Sequence, residues 1–231
     1  MTNEQIQATL SQLEPFAALP NDRLVELAGY ASLRKAAAKE FIFTEGEEAT
    51  AGYAVVSGRV ALLKCSPSGK ELILDLLPAG EVFGVVALVD TKPYPLSARA
   101  QAASVVLELP RRTVAPFLER NVDVRKAVYD VITTRFRTSQ NVARALAHDR
   151  VETRIASVLL ASIPRLAMAS PTDQIVLELG RQELADVVGT TLETASRVVK
   201  ALEKSGAVDA SKQGVLTILS MDALRVVATT L

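Results

Sequence analysis

Between Asn121 and Arg150 the chain runs for thirty residues without a glycine or a proline. That stretch predicts one continuous amphipathic helix, about 45 Å long at 1.5 Å per residue. The preceding hundred residues are punctuated quite differently. Gly46, Gly58, Gly69, Gly80 and Gly84 separate short apolar runs: Tyr53-Ala54-Val55-Val56, Val60-Ala61-Leu62-Leu63 and Leu72-Ile73-Leu74. Turn signals at such regular intervals predict an antiparallel sandwich or barrel. A sheet-forming segment followed by a helical one predicts an α+β chain of successive domains.

The helix has a narrow apolar stripe, Val128, Ile132, Phe136, Ala143 and Leu146. A long helix with such a stripe needs a partner, and parallel self-pairing into a homodimer is the expected solution. Ser139-Gln140-Asn141 interrupts the stripe, either as solvated surface that sets register or as a polar patch reaching a ligand. Upstream, Leu10, Leu13, Phe16 and Leu19 recur at helical spacing, and Pro20-Asn21-Asp22 opens a second helical stretch over Leu24 to Leu27. Ser66-Pro67-Ser68-Gly69 reads as a hairpin tip. Ser104 to Leu109 reads as the last strand before Pro110. The expected domains are residues 1–120, an antiparallel roll with flanking helices; 121–150, the dimerisation helix and hinge; and 151–231.

Composition excludes several function classes. Of 231 residues, 49% are hydrophobic, which rules out a largely disordered chain. The formal net charge is zero, so no whole-molecule field attracts a polyanion. One cysteine, Cys65, leaves no intramolecular disulfide and no Cys-ligated zinc or iron–sulfur centre built from this chain. One histidine, His148, leaves little for His-based catalysis or metal binding. No nucleophile–base pair and no phosphate-cradling motif suggests an enzyme. The polar Met1 to Gln5 start is unlike a signal peptide, and no apolar run reaches the ~18 residues of a membrane span. A cytoplasmic protein is expected.

After Val151 a helix is expected to run to Ile163 and end at Pro164, followed by a loop at Ser170-Pro171-Thr172-Asp173 and a short strand within Gln174 to Leu179. The segment Arg181 to Lys200 then has helix-turn-helix spacing. Leu184, Val188, Ala195 and Val198 supply apolar contacts between two short helices. Ala185 is small where the backbones approach, and Gly189 sits where the turn needs positive φ. Thr190 is the expected N-cap of the second helix, with Glu193 as its capping-box partner. Gly206 ends that helix, and Ala207-Val208-Asp209 with Val215 to Leu219 make a hairpin wing around Gly214.

On the second helix, Glu193, Ser196, Arg197 and Lys200 share the face opposite the packing residues. Arg197 suits guanine O6 and N7, Glu193 suits cytosine N4, and Ser196 suits a thymine or its neighbour. The plainer role for Glu193 is a capping box or an i,i+4 pair with Arg197. Against DNA binding, residues 151–231 carry 8 Lys+Arg and 9 Asp+Glu, a net of −1. Clustering of Arg181, Arg197, Lys200 and Lys212 on one side would offset that balance. The alternative is a small-ligand-binding module whose C-terminal domain serves protein contacts.

In this order of glycine-spaced strands, long helix and winged helix-turn-helix, the chain resembles the Crp/Fnr family of bacterial transcription regulators. Gly46, Gly58, Gly80 and Gly84 fall at family roll glycines. Leu192-Glu193-Thr194-Ala195-Ser196-Arg197 is similar to the Fnr-branch recognition pattern Glu-x-x-Ser-Arg. The resemblance implies a cyclic-nucleotide-binding-like roll, double-stranded DNA and RNA polymerase as partners, and TTGAT-like half-sites in an inverted repeat. It also implies phosphate contacts from Arg181, Thr191 and Thr194, to which the position of Lys200 on the same helix adds a fourth candidate. The cyclic-AMP branch carries Arg where Leu192 stands.

The roll departs from the nucleotide-binding pattern. The family cassette reads Phe-Gly-Glu, followed downstream by Arg-Ser-Ala; here the residues are Phe83-Gly84-Val85-Val86-Ala87-Leu88 and Pro95-Leu96-Ser97-Ala98. Val85 replaces the ribose-binding glutamate and Leu96 the phosphate-binding arginine. Each lost charge-assisted bond costs ~1.5–3 kcal/mol, so cyclic AMP is not expected as a tight ligand. Gly84, Val85, Val86, Ala87, Leu96, Ser97, Ser139 and Gln140 are the candidate effector-pocket residues. The apolar replacements suit an apolar ligand, haem among the family's options, or a filled core with none. The Fnr-type cysteine cluster is absent, which excludes its iron–sulfur centre. His148 and Cys65 read as surface and filler residues, and Tyr94, between Pro93 and Pro95, as loop.

Overall fold

A computed structural model describes residues 1–168 and 174–229. The expected loop at Ser170 to Asp173 lies outside the described residues. Two compact units emerge: Met1–Lys64 with Asp75–Ser139, and Cys65–Leu74 with Gln140–Leu231.

In the first unit, α1 (Asn3–Leu10) starts at a capping box between Thr2 and Gln5, and α2 (Asn21–Tyr30) follows Pro20. The expected continuous helical character fails between them. Residues 11–19 form turns, closed by bonds such as Phe16 N–H to the Leu13 carbonyl. Leu13, Phe16 and Leu19 are buried all the same. Successive turns with three-residue spacing bring apolar groups to one side as a helix does, so periodicity alone did not separate the two.

The strands are β1 (Ser32–Ala36), β2 (Phe41–Phe43), β3 (Ala51–Ser57), β4 (Arg59–Cys65), β5 (Glu71–Pro78), β6 (Val82–Phe83), β7 (Ser97–Ala100) and β8 (Ser104–Pro110). They form two four-stranded sheets, ordered β1-β8-β3-β6 and β2-β7-β4-β5. Tyr53 faces Glu108 on one side and Phe83 on the other, while Leu62 faces Ala98. Ser66 to Gly69 do form the tip between β4 and β5, with Gly69 at φ 79°.

Side-chain alternation along these strands feeds two cores. On β3, Ala54 joins one core while Tyr53 and Val55 join the other; on β8, Leu107 and Leu109 part from Val106 in the same way. The first core gathers α1, α2, α3 (Arg111–Arg120) and the start of α4 (Val122–His148) through Leu10, Phe16, Leu27, Phe117 and Val128. The second lies between the sheets and holds Phe43, Tyr53, Leu62, Leu77, Phe83 and Ala98.

Helix α4 corrects the expected stripe. Val128 is fully buried within the first core, with Val124. The exposed apolar row is Val122, Tyr129 and Phe136, at 59%, 50% and 63% exposure and seven residues apart. Helical periodicity finds apolar faces but does not say which partner each one meets. Arg135, on another side of α4, donates to Asp75, Glu81 and the Val82 carbonyl.

In the second unit, α5 (Val151–Leu166) runs two residues past Pro164, where the sequence suggested a stop. The proline sits in the last turn, so its missing N–H removes one bond near an end that frays anyway. Beyond it lie β9 (Ala167–Met168), β10 (Ile175–Leu177), α6 (Arg181–Val188), α7 (Leu192–Lys204), β11 (Val208–Asp209), β12 (Leu216–Ile218) and α8 (Met221–Thr229). The sheet order is β11-β12-β10-β9. No helix among the described residues is long and apolar enough to cross a membrane.

Candidate nucleic-acid interface

Helices α6 and α7 meet through fully apolar surfaces. Leu184, Ala185 and Val188 on α6 and Ala195, Val198, Val199 and Leu202 on α7 are all buried. Between them, Gly189 adopts φ 64° and ψ 50°, the left-handed conformation the turn requires. An added Cβ at Gly189 would lie 2.6 Å from a terminal methyl of Leu146, which would have to move aside; the dihedral angle is what calls for glycine there. Arg154 donates from Nε to the Val188 carbonyl at 2.9 Å, satisfying an acceptor that the end of α6 would otherwise leave open.

The start of α7 differs by one residue from expectation. Thr191, not Thr190, is the N-cap; its hydroxyl accepts the Thr194 N–H at 3.2 Å and donates to the Thr194 hydroxyl at 3.0 Å. Thr190 instead donates its backbone N–H to the Ala185 carbonyl as part of the turn. The shift puts Glu193 at the second helical position, too early for a capping box. Glu193 also makes no ion pair with Arg197 among the described residues. Neither plain role for that carboxylate is realised.

The exposed face of α7 is therefore uncommitted. Glu193, Arg197 and Lys200 are exposed, Ser196 is half-buried beside them, and none of these side chains is bonded to another described residue. Leu192 belongs to the same face and is 46% exposed. Sequence reasoning did not assign it a contact. The usable signal was its position, one before Glu193 and four before Ser196, at the edge of that face.

Arg181 opens α6 beside an open groove of about 550 Å³ lined by Gly180, Gln182, Leu192, Lys212 and Gly214. Its guanidinium reaches the Ala210 carbonyl at 3.5 Å and Glu203 at 3.9 Å. That pairing is long and half-exposed, so it is weak, and it leaves the cation at the groove. The wing turn is held by Asp209, whose carboxylate accepts the Ser211 N–H at 2.8 Å; that backbone bond keeps the carboxyl below its ordinary range. The strands Val208–Asp209 and Leu216–Ile218 pair antiparallel as the expected wing.

The effector-pocket candidates disperse. Val85 is buried in the first core, while Ala87 joins the second and Leu96 packs against it. Ser97 is buried, and its hydroxyl accepts the Glu45 N–H at 2.9 Å. Gly84 and Val86 flank them at the start of a single 3-10 turn, Val85–Leu88. Ser139 closes the first unit and Gln140 opens the stretch of α4 assigned to the second.

A four-stranded sheet carrying a two-stranded wing, together with two packed helices of which the second presents uncommitted polar side chains, defines a winged helix-turn-helix DNA-binding protein. The comparisons identify its kind. The cyclic nucleotide-binding domain family matches residues 33–121, and the Crp-like helix-turn-helix domain family matches residues 153–227. The transcriptional activator protein anr of Pseudomonas aeruginosa is 26% identical over 184 residues, covering 79% of this chain and 75% of that protein. The cAMP-activated global transcriptional regulator CRP of Salmonella typhimurium is 27% identical over 179 residues, covering 77% and 85%. In fold, FixK2 from Bradyrhizobium japonicum superposes with a TM-score of 0.78 at 24% identity, over 87% of this chain and 98% of that one. The chain belongs to the Crp/Fnr family of transcription regulators. It is a DNA-binding regulator and not an enzyme.

Proposed function

We propose that the chain acts as a homodimer, that it reads an inverted repeat of TTGAT-type half-sites through the exposed face of α7, and that cyclic AMP does not control it. The observation that carries the reading is Arg197: an exposed guanidinium, without an intramolecular partner among the described residues, flanked by Glu193 and Ser196. A base-reading arginine must be available in this way to bond guanine O6 and N7. Glu193 takes the neighbouring cytosine amine, and Ser196 an adjacent base. Leu192 fits the methyl group of a thymine. Lys200 and Arg181 are placed for phosphates, with Lys212 from the wing. Thr191 and Thr194 contribute by fixing where the helix begins.

The heptad row Val122, Tyr129 and Phe136 supports the dimer. Three large apolar side chains, each at least half exposed, form a seam that a second copy of α4 would cover. A two-fold pair of α7 helices then spans one DNA turn, about 34 Å, and the site must be palindromic. Val85 and Leu96 supply neither carboxylate nor guanidinium to a cyclic nucleotide, which supports the third part of the proposal. Haem is disfavoured by the same donor chemistry: His148 and Cys65 are both exposed and offer no enclosed axial ligand.

The test is fluorescence anisotropy of the full chain on a TTGAT palindrome at fixed salt, with Arg197→Ala alongside. The variant is expected to lose ~1–3 kcal/mol per half-site and to stop discriminating at the guanine. Equal loss on unrelated DNA would reduce Arg197 to a phosphate contact and overturn base reading.

A further inference from the structure

Tyr94 does not behave as a loop residue. Flanked by Pro93 and Pro95, it is 3% exposed, and its ring stacks on Phe43 with centroids 3.8 Å apart and planes 12° from parallel. Its hydroxyl donates to the Ala51 carbonyl at 2.6 Å and accepts the Ala51 N–H at 3.1 Å. Its backbone is tied to the same segment: Tyr94 N–H donates to the Glu47 carbonyl at 2.9 Å, and its carbonyl accepts the Gly46 N–H at 2.9 Å. Side chain and main chain together close the 91–96 loop onto residues 46–51.

The ring also completes a stack that reaches the cassette. Phe43 contacts Tyr53 at 5.7 Å and Phe83 at 6.1 Å between centroids, and Tyr53 lies 5.3 Å from Phe83. Gly84, directly after Phe83, is pressed against this cluster: a Cβ there would sit 3.1 Å from the Phe43 ring and 3.2 Å from the Tyr53 ring. The same stretch commits Ser97 to the Glu45 N–H and Leu96 to the second core. The Ser97 hydroxyl and the Leu96 side chain are thus engaged by the chain itself.

We infer that Tyr94 is a built-in strap. It holds residues 84–97 shut against residues 43–51, which closes the roll to a cyclic nucleotide. The inference rests on the proposed regulator function but concerns the roll alone, and its first readouts need no DNA. A closed strap predicts slow exchange of the amides at 46–51 and 84–97, and no calorimetric binding of cyclic AMP or cyclic GMP.

The experiment measures hydrogen exchange on the full wild-type chain, Tyr94→Phe and Tyr94→Ala, with nucleotide titration by calorimetry and DNA anisotropy on the same samples. Tyr94→Phe keeps the ring and loses both hydroxyl bonds. It is expected to speed exchange at Ala51 at least tenfold while leaving the 84–88 amides within twofold. Tyr94→Ala is expected to speed exchange at least tenfold across both segments. If Tyr94→Ala does not fold, wild type and Tyr94→Phe decide. Fast wild-type exchange at 84–97, an unchanged Ala51 amide in Tyr94→Phe, or a nucleotide that shifts wild-type DNA affinity tenfold would overturn the strap. A wild type that fails to bind DNA while its roll amides stay protected would sink the regulator reading and leave the strap intact.

Discussion

Replacing Gly189 by alanine tests the geometry that aims α7. Two costs are legible. The residue sits at φ 64°, where a side chain costs about 1–2 kcal/mol. The new methyl would meet Leu146 Cδ2 at 2.6 Å, below any normal contact, with Leu72 Cδ1 at 3.4 Å behind it. Leu146 is only partly buried but must move its side-chain end aside, and that overpacking adds ~1–3 kcal/mol. The sum is about 2–5 kcal/mol, and in a unit of this size each kcal/mol lowers the midpoint by about 4–8 °C. Thermal unfolding followed by circular dichroism should therefore show a drop of at least about 8 °C. Leu146→Ala in the same background should return most of the steric share and none of the dihedral share, so a double-mutant cycle separates the two. A midpoint within about 2 °C of wild type, well inside the expected ~8 °C, would refute the claim that the turn is built around a residue without a side chain.

Other perturbations address the interface, the seam and the roll. Substituting deoxyuridine for each thymine of the half-site in turn should weaken wild-type binding at one position and leave Leu192→Ala indifferent there, because only an apolar side chain senses the missing methyl; equal sensitivity in both proteins removes Leu192 from base reading. Phe136→Asp is expected to shift sedimentation from dimer to monomer and to abolish palindrome binding, whereas an unchanged dimer would place the contact elsewhere. Arg135→Ala deletes a guanidinium shared by Asp75, Glu81 and the Val82 carbonyl; a partly exposed cluster of this kind should cost about 1–3 kcal/mol in urea unfolding, and a neutral result would show that solvent replaces it.

Which parts were legible follows from how far apart their determinants lie. The helix-turn-helix could be read because its requirements fall within one stretch of twenty residues: a small Ala185, an αL Gly189, a hydroxyl at the helix start and an apolar face on each side. Even there the cap slipped from Thr190 to Thr191. Adjacent threonines offer the same hydroxyl, and only the backbone dihedrals choose between them; Thr191 at φ −88°, ψ 152° has the extended geometry of a cap. The α4 seam was half legible. Apolar periodicity was correct as a property of the helix, but Val128 turned out to belong to a core that also takes members, Leu10 and Phe16 among them, from more than a hundred residues earlier.

The roll interior shows the same rule at its limit. Two prolines around Tyr94 signal a loop, and loops usually keep their polar groups at the surface. What buries this one is a pair of hydrogen bonds to Ala51, 43 residues away in sequence, and a ring from Phe43. No local pattern encodes that meeting; it exists only once β2, β3 and the 91–96 loop are brought together. A buried backbone N–H and C=O at Ala51 must find partners, and the Tyr94 hydroxyl, both donor and acceptor, satisfies the pair with one atom. Phenylalanine would fill the same volume and satisfy neither. The hydroxyl ties residue 94 to Ala51, while the stacked ring closes the loop on Phe43.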